Sequence, residues 1–141
     1  MQISARNQLE GTIANVAEGA VNGVVTISLG DQKIKADITM ESIEQLGLVE
    51  GKKAWAIIKA TNVMFATGTE RIANISARNQ LPGTVVKVTK GAVNGHVTLE
   101  LEDGNKVSGS ITNEAIENLG LAEGVKALAI VKATDVIVGV E

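Results

Sequence analysis

ISARNQL at residues 3–9 returns as ISARNQL at residues 75–81, 72 positions later, in a chain of 141 residues. The matching continues. GAVNG at 19–23 reappears at 91–95 with the same offset, and KAT at 59–61 reappears at 132–134 with an offset of 73. The chain is therefore a tandem duplication with one residue inserted between the second and third matches. The insertion falls where LGDQK faces LEDGNK, around Asp31 and Asp103, and the Gly, Asp and Asn residues there are turn chemistry that absorbs an extra residue. The modules read as 1–68 and 73–141, with a linker at about 69–72 inside the polar stretch Thr67–Asn74.

Within each repeat the pattern is strand, strand, strand, short helix, strand, strand. Leu9–Val16 and Val21–Leu29 alternate apolar with small or polar residues at period two, and Lys33–Ile38 is a third strand. Thr39–Gly47 reads as a two-turn helix with Thr39 as N-cap, Glu41 in the first turn and Gly47 just past the end; residues 112–120 repeat it. Ala54–Lys59 and Val63–Ala66 complete the module. The order predicts an all-β fold of two tandem OB-type five-stranded Greek-key barrels, each with one short helix between strands three and four.

Composition narrows the function. The chain is 45% hydrophobic, yet Trp55 and Phe65 are its only aromatics, so the core is aliphatic. A barrel of about 70 residues buries only about 60% of the surface its unfolded chain exposes, and extra burial is expected from module pairing and from a homo-oligomer. With no Cys and one His, thiolate zinc sites, iron–sulfur clusters, cysteine nucleophiles and disulfides are excluded, and a multi-histidine metal site nearly so. A net charge of −3 and two aromatics give neither a basic field nor a stacking platform, which makes nucleic acid a poor partner. No charged leader opens the chain and no apolar run approaches the roughly 18 residues of a membrane span. A soluble, cytoplasmic protein with no membrane partner is expected, and the sequon Asn74-Ile75-Ser76 reads as accidental.

Six polar residues have identical counterparts in the other half: Ser4, Arg6, Asn7, Thr39, Lys59 and Thr61 match Ser76, Arg78, Asn79, Thr112, Lys132 and Thr134. The set offers hydroxyls, a guanidinium and an ammonium, and its only neighbouring carboxylates, Glu41 and Glu114, sit at helix starts where the helix dipole occupies them. Donors without acceptors suit an anion. Phosphate near neutral pH keeps a proton that needs an acceptor, so such a pocket favours fully deprotonated tetrahedral dianions such as sulfate, molybdate or tungstate. At roughly 1.5–3 kcal/mol per charge-assisted hydrogen bond, an Arg, a Lys, two hydroxyls and one or two amides reach micromolar affinity, about −8 kcal/mol. Taken singly, Arg6 and Lys59 also read as solvated strand residues and Thr39 as a plain helix cap. GAVNG reads either as a strand-entry turn or as a nest of backbone amides for an anion. His96 has Val24 at its matching position and reads as a surface histidine. GLVEGKK at 47–53 lacks the spacing of a phosphate loop, and its repeat is GLAEGVK. No nucleophile stands with a paired general acid and base, so no enzyme is expected.

ISARNQL, GAVNG, the IT-x-E helix start (Ile38–Glu41, Ile111–Glu114) and the strand ends IIKAT and IVKAT resemble the molbindin (Mop) family over both halves. The resemblance implies OB-like modules assembled into rings, usually trimers of two-module chains. It also implies molybdate, sometimes tungstate, bound at module and subunit interfaces for storage or buffering, with no cofactor. A sensor module signalling to a transcription factor or transporter is the alternative role. Carried onto this chain, the main pocket comprises Ser4, Ala5, Arg6, Lys59 and Ala60, completed by Thr39 and Ser42; in the second half it comprises Ser76, Ala77, Arg78, Lys132, Ala133 and Thr112. A second kind of site follows the turns Gly19, Ala20, Val21, Asn22 and Gly91, Ala92, Val93, Asn94. Ala115 replaces Ser42, and Asp135 replaces Asn62, so the second pocket is expected to bind more weakly.

Overall fold

A computed structural model describes residues 1–141. The first repeat forms β1 (Asn7–Ala17), β2 (Asn22–Leu29), β3 (Gln32–Thr39), α1 (Met40–Leu46), β4 (Lys53–Ile58) and β5 (Met64–Thr67). The second forms β6 (Asn79–Lys90), β7 (Asn94–Leu101), β8 (Lys106–Thr112), α2 (Asn113–Asn118), β9 (Lys126–Val131) and β10 (Ile137–Gly139). A 3-10 turn follows β4 at Ala60–Asn62 and another follows β9 at Ala133–Asp135. The fold is all-β in two curled five-stranded sheets, and each helix lies between the third and fourth strands as the sequence predicts. No helix is long and apolar enough to cross a membrane.

Local chemistry accounts for the elements. In β2, Gly23, Val25, Ile27 and Leu29 face inward and are buried, which is the period-two pattern of a sheet with one apolar face. Thr39 caps α1 by accepting from the Ser42 N–H at 3.1 Å, and Gly47 ends it in the left-handed region at φ 62°. The inserted residue lengthens the turn between β7 and β8 relative to the turn between β2 and β3. Gly104 takes a positive φ in the longer turn as Gly30 does in the shorter. A bulge at residues 13–15 of β1, repeated at 85–87 of β6, bends the long first strand of each sheet so that it curls.

The fifth strands depart from the sequence reading. The sequence places Val63–Ala66 in its own module, whereas the sheet orders are β10-β4-β1-β2-β3 and β5-β9-β6-β7-β8. Each half thus receives its last strand from the other: Met64–Thr67 pairs with Ala127–Ile130, and Ile137–Gly139 pairs with Trp55–Ile57. The 3-10 turns produce the exchange, because each carries the chain across to lie against the other half's third strand instead of folding back as a hairpin. Val63 and Phe65 enter the second sheet's core, Val136 and Val138 the first's, and one continuous apolar cluster runs through both halves.

Asn7 and Asn79 fasten the halves edge to edge. Asn7 Nδ2 donates to the Ser108 carbonyl at 2.8 Å and its Oδ1 accepts from the Ser108 N–H at 2.7 Å. Asn79 does the same to Lys35, at 2.8 and 2.7 Å. Each amide mimics a strand residue pairing with the free edge of β8 or β3, and each asparagine is 2% exposed.

Candidate functional site

The edge clasp by Asn7 fixes its neighbour, Arg6, over the other half of the molecule. Ser4, Ala5 and Arg6 line a cavity of about 380 Å³ with Lys59, Ala60 and Thr61 from the end of β4, so the two persistent blocks of the first repeat do meet. The opposite wall comes from the second repeat: His96 of β7, Ser110 of β8 and Ile137. The matching cavity, about 640 Å³, gathers Ser76, Ala77, Arg78, Lys132, Ala133 and Thr134, and its far wall includes Asp37 of β3 and Phe65 and Met64 of β5. Gln80 braces this second loop by holding Ile72 at both its N–H (2.7 Å) and its carbonyl (3.0 Å), while Gln8 donates to the Ala5 carbonyl at 3.4 Å in the first.

The electrostatics are uneven. The molecule has two ion pairs, Lys53–Glu10 at 2.9 Å and Lys90–Glu117 at 3.3 Å, so Arg6, Lys59, Arg78 and Lys132 have no carboxylate partner. In an acidic chain, four cations left unpaired in two cavities are open to an exogenous anion. No group of three or more His, Cys, Asp or Glu side chains converges on a point that could hold a metal cation.

Thr39 and Ser42 are not among the residues lining the Arg6 cavity. Thr39 pairs with Asn22 in the β2–β3 ladder, the Met40 N–H donates to the Val21 carbonyl at 2.8 Å, and the Thr39 hydroxyl donates to Ser42 Oγ at 2.9 Å. The helix start therefore sits beside the turn Gly19, Ala20, Val21, Asn22, and Thr112 sits likewise beside Gly91, Ala92, Val93, Asn94, with the Asn113 N–H donating to the Val93 carbonyl. Along β3 the outward face reads Lys35, Asp37, Thr39, and Asp37 already lines the Arg78 cavity, so within one chain Thr39 lies toward Arg78 and not Arg6. The turn residues themselves are exposed, Val21 at 74% and Val93 at 71%. Asp135, expected to burden the second pocket, is not among its lining residues; the carboxylate there is Asp37, whose Oδ1 accepts from Asn22 Nδ2 at 3.0 Å.

His96, Ser110 and Asp37 carry no signal in the repeat pattern, because each differs from the residue at its matching position and reaches its cavity from the half opposite the SARN block that lines it. Asn7 and Asn79 did stand out as persistent residues, and their work is to join the halves.

The chain matches the TOBE domain family twice, at residues 3–65 and 75–138. It is 40% identical over 141 residues to the molybdenum transport protein ModE of Azotobacter vinelandii and 41% identical over 138 residues to the molybdenum-pterin-binding protein MopA of Rhodobacter capsulatus, covering 99% and 97% of this chain and 52% of each relative. The chain thus spans about half the length of these relatives. Molybdenum-pterin-binding protein 2 of Clostridium pasteurianum is 48% identical over 65 residues, 46% of this chain and 96% of that protein. The crystal structure of the cytoplasmic molybdate-binding protein ModG with molybdate bound superposes with a TM-score of 0.93 at 44% identity, covering both chains completely. The chain belongs to the TOBE domain family and is a tandem, two-module member of its molbindin (Mop) type.

Proposed function

We propose that this protein binds and stores molybdate without catalysing a reaction, acting in the cytoplasm as a homotrimer in which two-module chains hold the oxyanion at module and subunit interfaces. The observation that carries the reading is the pair of unpaired cations, Arg6 and Lys59, facing Ser4, Thr61 and Ser110 in one cavity with no carboxylate among the lining residues. A donor set of this kind suits a fully deprotonated tetrahedron and leaves nothing to accept the proton of hydrogenphosphate except hydroxyls and the His96 ring. The likeness to molybdate-bound ModG supports the choice of ligand. The turns at Gly19–Asn22 and Gly91–Asn94, with the helix starts beside them, are the second class of site, completed by neighbouring chains.

The test is calorimetry with molybdate in excess sulfate. Arg6→Ala removes one or two charge-assisted hydrogen bonds, each worth roughly 1.5–3 kcal/mol, and is expected to lower affinity at this pocket at least tenfold. Unchanged stoichiometry and affinity would reject the pocket.

A sensor role is the second reading, favoured by the length of ModE and MopA, of which this chain matches about half. A pull-down with and without molybdate separates the two, since a store captures no partner in either state.

A further inference from the structure

Adjoining the Arg6 pocket, and sharing Arg6 and His96 with it, the second repeat carries a polar surface that the first lacks. On one face of the β6-β7-β8 sheet, Thr89 stands opposite His96 and Lys87 opposite Thr98, and on the next strand Ser110 stands opposite His96 and Ser108 opposite Thr98. Side chains paired in this way lie about 5 Å apart, so the six form a grid two rows deep across three strands. Five of them, all but Ser110, join Arg6 from the first repeat in lining a cavity of about 300 Å³ with no apolar residue and no carboxylate.

The grid is held in place before any ligand arrives. Thr98 Oγ1 and Ser108 Oγ are hydrogen-bonded at 2.8 Å, and the Ser108 backbone is clasped on both sides by Asn7, the residue next to Arg6. Lys87 and Arg6 face one cavity and neither is in an ion pair. Two cations sharing a cavity repel each other unless an anion sits between them. In the first repeat the matching positions are Asn15, Ala17, Val24, Thr26, Lys35 and Asp37, so five of six differ, with two apolar side chains and a carboxylate entering. An ordinary solvated sheet face gives no reason for one copy to gather donors while the other scatters them.

We propose that this cavity is a further oxyanion site, one per chain, in which the Lys87 ammonium and Arg6 guanidinium hold a tetrahedral oxyanion over the hydroxyls of Thr89, Thr98 and Ser108. A water takes about 30 Å³, so the cavity admits the anion with part of its hydration shell. Its donors are of the same kind as those of the Arg6–Lys59 pocket, so it takes the same class of tetrahedral oxyanion.

The experiment titrates the full chain with molybdate and, separately, with inorganic phosphate. Lys87→Asn/Thr89→Ala installs the residues of the first repeat at two exposed positions of β6 that touch neither Lys59 nor Lys132, and the first repeat shows that the fold carries them. In a Lys59→Ala/Lys132→Ala background, oxyanion is expected to remain bound at this cavity besides any held at the turns, and adding the β6 pair is expected to lower that residual stoichiometry by about one per chain. Residual binding that the β6 pair leaves unchanged for both anions, or a background that binds neither anion while wild type binds molybdate, overturns the proposal. Molybdate binding unaltered by Lys59→Ala/Lys132→Ala counts against the Arg6–Lys59 and Arg78–Lys132 pockets and leaves this site to be judged by the β6 pair alone.

Discussion

Asn7 donates one hydrogen bond and accepts another at a single backbone unit of β8, and it is 2% exposed while doing so. Truncation to alanine would leave the N–H and carbonyl of Ser108 unpaired in a partly buried seam, where each lost bond is worth about 1 kcal/mol and each orphaned group adds to that. Asn7→Ala is expected to destabilise the protein by about 2–4 kcal/mol, read as a lower midpoint in denaturant unfolding, and Asn79→Ala should match it. Asp37 is the opposite case, a residue whose removal is expected to strengthen anion binding. It is the only carboxylate lining the Arg78 cavity, and Ser110 occupies its place in the Arg6 cavity. Asp37→Ser is expected to raise molybdate affinity at the Arg78 pocket roughly tenfold, since one such factor corresponds to about 1.4 kcal/mol; calorimetry on a Lys59→Ala background, with and without Asp37→Ser, reads the change with the Arg6 pocket weakened in both. Arg6, Lys59 and their counterparts were legible in the sequence because duplication had kept them in both halves. Asp37, His96 and Ser110 were not, because a repeat displays what its copies share, and these residues are where the copies differ.

Strand exchange is where sequence patterning ran out. Val63–Ala66 and Val136–Gly139 are both short apolar strands, and either free edge, β4 or β9, could pair with either of them. Existence and order of the strands followed from alternation and turn chemistry, but pairing depended on the direction in which a 3-10 turn sends the chain. The cores record the exchange. A Cβ on Gly109 of β8 would sit 2.7 Å from Phe65 Cζ, which enters from β5, while the matching pair in the other sheet is Ala36 and Val138. A large residue meets glycine in one barrel, and a smaller one meets alanine in the other. Gly109→Ala is therefore expected to cost about 1–3 kcal/mol through overpacking, and Phe65→Val in the same chain should recover much of it. A double-mutant cycle in denaturant reads the coupling directly; additive effects would mean that Phe65 does not press on Gly109.

At the scale of the whole molecule, the exchange makes the two repeats a single folding unit, since neither sheet is complete without a strand from the other. The most exposed large apolar side chains are Val21 and Val93, 74% and 71% exposed at the two GAVN turns. Valine at such a turn gains about 1.5–3 kcal/mol when fully buried, and each turn adjoins a capped helix start with hydroxyls and amides to offer. Packing against further copies of the chain would bury both valines and bring several such turns around one axis, which is the geometry a shared anion site requires. Native mass spectrometry is expected to show three chains per particle for the wild type, with additional mass from bound molybdate. Val21→Asp/Val93→Asp places like charges where the copies would meet and is expected to give single chains that keep the Arg6 and Lys59 pocket but lose the anions bound at the turns. A variant that still assembles and still carries its full complement of molybdate would show that the turns are not the contact between chains.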